Sequence, residues 1–109
     1  MIARDDAPEP TRATRFAPRA LDDVRLALEW YDQHAPGVAP AFLLALDAVL
    51  AQASRYPESY PVVRPELRRG LLRRFPYGVF YVVEANTLVV LAVVHARRHP
   101  ATWPRQAGG

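Results

Sequence analysis

Two apolar runs, residues 79–83 (VFYVV) and 88–94 (LVVLAVV), stand four residues apart, and that spacing constrains the fold more than any other feature. Runs rich in Val, Tyr and Phe favour strands. The spacer Glu84-Ala85-Asn86-Thr87 is too short for a crossover connection, so the two strands must pair as an antiparallel hairpin. Strands are expected over residues 77–84 and 87–95. Ala85-Asn86 makes the tightest turn, but Ala resists the positive φ of a type I′ turn, and a three- or four-residue loop leaves the register open. Residues 71–75 (LLRRF) are expected to add a first strand, which Pro76 ends. The three together form an antiparallel meander.

Ahead of the meander the apolar spacing becomes helical. Leu21, Val24, Leu28 and Tyr31 recur at that spacing, with Ala20, Ala27 and Trp30 beside them. The entry is Ala17-Pro18, where a missing N–H costs nothing. Asp22 and Asp23 are expected in the first turn, where negative charge suits the helix dipole. A second helix carries Ala39, Phe42, Leu43, Leu46, Val49, Leu50 and Ala53 on one face. The link His34-Ala35-Pro36-Gly37 is short enough to make the pair an antiparallel hairpin. Trp30, Tyr31 and Phe42 are expected to pack in its interior. Tyr56-Pro57-Glu58-Ser59-Tyr60-Pro61 stops the second helix, and residues 62–66 are expected as a loop.

A short strand over residues 11–16 opens this α+β domain, which spans residues 11–103 between flexible tails at 1–10 and 104–109. Strands 77–84 and 87–95 are apolar on both faces, whereas two helices cover one. The second face therefore calls for a partner chain.

With no cysteine, neither a disulfide framework nor a cysteine metal site is possible. His95 and His99 have the i, i+4 spacing of a zinc pair, but on a strand that ends in a loop, so no metal or cofactor is expected. No apolar run approaches the ~20 residues of a membrane span, and the N-terminus lacks the apolar core of a signal peptide. A cytoplasmic protein is expected. The charge is uneven: residues 1–63 carry six Arg against nine carboxylates, and residues 64–109 carry eight Arg against Glu66 and Glu84. The chain has no Lys. A cationic half built only of guanidinium groups suits carboxylate or phosphate partners.

The candidate contact residues are Arg68, Arg69, Arg73, Arg74, Tyr81, His95, Arg97 and Arg98. Strand alternation sets Arg73 and Arg74 on opposite faces, one of them able to pair with Glu84. Tyr77 and Tyr81 share a face. Arginine interleaved with aromatics in RRG and RRFPYGVFY is also a pattern of single-strand nucleic-acid binders.

The ordered set RRFPY, VFYVVE and AVVHARRHP, after a helical hairpin that ends in Tyr-Pro-Glu, resembles the RelE/ParE toxins of bacterial type II toxin–antitoxin modules. The likeness runs from about Arg15 to Trp103 and favours the ParE-like plasmid stabilisation branch. It implies a sheet with helices on one face and a toxin wrapped by the C-terminal segment of a cognate antitoxin in a hetero-oligomer. Two activities follow from it: non-enzymatic inhibition of DNA gyrase, or metal-independent cleavage of ribosome-bound mRNA. For the second, Arg73, Arg74, His95, Arg97 and Arg98 are the catalytic candidates. The RNase branch carries lysines near its second helix and a functional aromatic near its C-terminus. Here there is no Lys, and Trp103 cannot transfer a proton.

Overall fold

The computed structural model of the chain describes residues 12–104. The expected tails fall outside it, except Pro104, which is buried. Five strands form one sheet: β1 (Ala13–Phe16), β2 (Val62–Arg64), β3 (Leu67–Leu71), β4 (Tyr77–Glu84) and β5 (Thr87–His95), in the order β1-β5-β4-β3-β2. β1 pairs with β5 in parallel; the other pairs are antiparallel. Helices α1 (Pro18–His34) and α2 (Ala39–Arg55) form the hairpin on one face. Among the described residues no helix is long and apolar enough to cross a membrane.

The β4–β5 hairpin has the expected bounds. Glu84 pairs with Thr87, so the turn is Ala85-Asn86, and Ala85 does take a positive φ of 55°. Only this first turn residue is left-handed, as in a type II′ rather than a type I′ turn. The meander's first strand is corrected to β3: residues 72–76 are an irregular bend, with Arg74 at φ 69°. The expected loop at 62–66 holds β2 and a turn in which Pro65 precedes Glu66 at φ 60°, the signs of a type II turn. Asp22 and Asp23 lie beyond the first turn of α1. Asp23 instead accepts the Val93 N–H at 2.9 Å, on the part of β5 that outruns its pairing with β1.

Gly70 explains why β3 sits where it does. A Cβ there would stand 2.7 Å from Val49 Cγ1 and 3.2 Å from the Tyr60 ring, so only glycine lets β3 approach α2 this closely. Gly70→Ala is expected to cost about 1–3 kcal/mol through overpacking, measured as a lowered urea midpoint.

A bulge organises β5. Phe80 pairs with Ala92 but Tyr81 pairs with Val90, leaving Leu91 as the extra residue. Leu88, Val90 and Val93 thereby all pack under the helices, while Val89, Leu91, Ala92 and Val94 face the other way. The shift in parity also brings His95 opposite Tyr77 on the helix side.

The second face is not left open. Phe80, Val82 and Val89 are at most 2% exposed in the single chain. Trp103 packs on Phe80, with ring centroids 5.0 Å apart, and the Arg64 and Arg69 guanidiniums lie 5.4 and 5.1 Å from its indole. Arg19 and Arg64 donate to the carbonyls of Thr102 and Pro100 in the adjoining 3₁₀ turn. This strap corrects the expectation that the face needs a partner to be buried.

Candidate functional site

The turns that close the β3–β4 connection and leave β5 meet at one end of the sheet. Leu72 N–H donates to the Tyr77 carbonyl, and Ala96 N–H donates to the Pro76 carbonyl at 2.6 Å. Arg73, Arg74, Arg97 and Arg98 stand exposed at this end. Among the described residues none of the four has a salt bridge; Glu84 pairs with Arg15 instead, at 3.4 Å. Such unpaired guanidiniums form a surface for an anionic partner.

Four aromatic rings fix this end. Phe42, fully buried, lies edge-on to Phe75 at 5.5 Å and to Tyr77 at 5.2 Å, and Tyr31 closes the group at 5.6 Å from Phe42. Phe75 holds the bend that carries Arg73 and Arg74. Tyr77 presents its ring edge-on to His95 at 5.1 Å. Tyr31 and Phe42 pack inward as expected. Trp30 does not: it is 51% exposed, with His34 stacked on its ring at 4.3 Å.

The structure separates the candidates. His95 and Arg98 share a cleft with Trp30 and Tyr77, whereas Arg73 lines a different groove beside Ala45, Gln52 and Tyr60. Because Arg73 and Arg74 belong to a bend, they do not alternate across a strand. Arg68 is half-buried and donates to the Tyr60 carbonyl at 2.6 Å; Arg69 lies on Trp103. Both support the fold. Arg97 N–H donates to His95 Nδ1 at 3.0 Å, so that nitrogen carries no proton and Nε2 does. This bond fixes the orientation of the ring and occupies one of its two nitrogens. Among the described residues no group of His, Asp and Glu is arranged to hold a metal ion.

Tyr81, expected as a contact residue, has no accessible surface. Its hydroxyl donates to the Pro57 carbonyl at 2.6 Å and so pins the Tyr-Pro-Glu turn to the sheet. Burial pushes its phenol up to about 12, opposed by the Arg68 charge and reinforced by Tyr60. A phenol with a raised folded pKa keeps its proton where the unfolded chain has lost it. Its contribution to stability is therefore full below about pH 10 and is lost as pH rises toward 12. Chemical unfolding across pH 9–12 is expected to lose up to about 1.4 kcal/mol per pH unit from this group. Tyr81→Phe should flatten that slope and cost about 1–2 kcal/mol at neutral pH by orphaning the Pro57 carbonyl.

Sequence reasoning missed Trp30 as a surface residue, Asp23 as the cap of β5, and the Arg19–Arg64–Trp103 strap. The available signal for Trp30 was its place at the flank of the stripe formed by Ala20, Val24, Ala27 and Tyr31.

Residues 14–100 match the family described as "ParE toxin of type II toxin-antitoxin system, parDE". No curated protein sequence matches the chain. The fold is similar to a chain of the chromosomal ParDE toxin–antitoxin system from P. aeruginosa, with TM-score 0.69 and 14% identity over 80% of this chain and 98% of that one. It is also similar to a chain of the RelBE2 toxin–antitoxin complex from Mycobacterium tuberculosis, with TM-score 0.55 and 22% identity over 82% and 97%. The isolated E. coli RelE toxin gives TM-score 0.53 and 22% identity over 83% and 89%. At these identities the solved structures speak for the fold alone.

Proposed function

This chain belongs to the ParE toxin family of type II toxin–antitoxin systems, and from that membership we propose that it blocks DNA gyrase by binding it, and that a cognate antitoxin restrains it in a cytoplasmic hetero-oligomer. The family match over residues 14–100 supports the toxin role. Antitoxin chains accompany the toxins in the ParDE system and RelBE complexes that this fold resembles. The unpaired Arg73, Arg74, Arg97 and Arg98 suit an acidic segment of such a partner.

The observation that favours binding over RNA cleavage is the hydrogen bonding of His95. Its Nδ1 is occupied by the Arg97 amide. Trp103, the aromatic near the C-terminus, is held between Arg64 and Arg69. Both residues are thus engaged in contacts of the fold. A surface that only has to bind needs neither of them free.

Inducing the chain in a bacterial host without antitoxin tests the reading, with DNA and protein synthesis followed separately by pulse labelling. DNA synthesis is expected to fall first, with an SOS response. An earlier fall in protein synthesis, with mRNA cut on ribosomes, would establish the RNase reading instead.

A further inference from the structure

The exposed indole of Trp30 lines two adjoining clefts, of about 320 and 480 Å³, whose shared walls are Trp30, Tyr77, His95 and Arg98. Volumes near 300–1,000 Å³ are those of small-molecule sites. His34 stacks on the indole and Tyr31 stands perpendicular to it at 5.2 Å, which fixes the ring while Trp30 as a residue stays half exposed. Two donors stand beside it: His95 Nε2–H, whose tautomer is set by the Arg97 amide, and the Arg98 guanidinium. Asp23 borders the first cleft. Its Oδ2 receives the Val93 amide and faces Arg19, which leaves Oδ1 as an acceptor.

A rigid aromatic plate, two cationic or N–H donors and one carboxylate oxygen match a base, its phosphate and an exocyclic amino group. We propose that this corner binds a single mononucleotide, with the base against Trp30 and the phosphate between Arg98 and His95. The placement of the other described arginines argues for one nucleotide rather than a strand. Arg19 donates to Thr102, Arg64 and Arg69 cover Trp103, and Arg68 donates to Tyr60. The unpaired Arg73 lines a separate groove, and neither cleft at Trp30 is lined by Arg73, Arg74 or Arg97 to hold successive phosphates. The site goes beyond the toxin reading and does not depend on it.

The test is calorimetric titration of the full chain with AMP and GMP, beside adenosine, inorganic phosphate and a single-stranded oligoribonucleotide. Tryptophan fluorescence of Trp103→Phe, which leaves Trp30 as the sole indole, reports stacking directly. Saturable 1:1 binding with quenching of Trp30 is expected. Trp30→Leu and Arg98→Ala, both at exposed positions, should each weaken binding about tenfold or more with an unchanged circular dichroism spectrum. Adenosine and inorganic phosphate should each bind at least about tenfold more weakly than AMP. Four results would overturn the assignment: no saturable signal up to about 1 mM, phosphate binding as well as AMP, Trp30→Leu binding as well as the parent chain, or the oligonucleotide binding more than about tenfold tighter than AMP.

Discussion

Phe42→Ala is expected to destabilise the chain by about 3–5 kcal/mol, a large part of the roughly 5–15 kcal/mol that holds a domain folded. Phe42 is fully buried and touches Tyr31, Phe75 and Tyr77 at centroid distances of 5.2–5.6 Å. Truncation removes the ring on which the other three lean, and neither helix can collapse into the space without leaving the sheet. The loss also reaches the surface. Phe75 anchors the bend of Arg73 and Arg74, and Tyr77 sets the His95 ring. Phe42→Leu keeps most of the volume and should cost under half as much. Urea unfolding followed by far-UV circular dichroism measures both. Equal midpoints for Phe42→Ala and the parent chain would show that the four-ring cluster does not hold this end together.

The second large effect concerns charge. Replacing Arg73, Arg74, Arg97 and Arg98 together with Ala should leave unfolding within about 1 kcal/mol, because all four are exposed and unpaired. Binding of the acidic antitoxin segment proposed above should weaken by about 10²–10³-fold, on the order of 1 kcal/mol per charge. Most of that should appear in the association rate, and the salt dependence of the rate should flatten. Arg64→Ala with Arg69→Ala is the contrasting pair. Both lie on Trp103, so their loss should lower stability before it alters association. Surface plasmon resonance at two ionic strengths separates the cases. An unchanged association rate for the fourfold variant would place the acidic partner elsewhere on the toxin.

The elements that were legible in the sequence are those with one strong local cause. Pro76 and Ala85-Asn86 bracket β4, and the helical spacing in α1 and α2 is set by side chains that end up buried or half-buried, apart from Leu21 and Leu43, which the structure leaves exposed. The register of the last hairpin was not legible because residues 88–94 are apolar at every position, so the bulge at Leu91 leaves no trace in the pattern. Leu67–Leu71 and residues 71–75 offer nearly the same Leu-Arg-Arg motif. Which becomes the strand is decided by the contact of Gly70 with Val49, a tertiary fact. The second face looked unpartnered because Trp103 reads as the end of a chain, and only the fold brings it onto Phe80. Of the candidate site, the cationic end could be read from composition. Its division into a His95–Arg98 cleft and a separate Arg73 groove could not, because the bend at 72–76 looks like strand in one dimension.

Gyrase supercoiling by purified enzyme in the presence of the purified chain tests the central claim most directly. Inhibition that saturates near stoichiometric chain, is relieved by antitoxin and survives His95→Ala is the expected result. Unimpaired supercoiling, with trace amounts of the chain cutting mRNA on translating ribosomes and His95→Ala abolishing the cut, would contradict it.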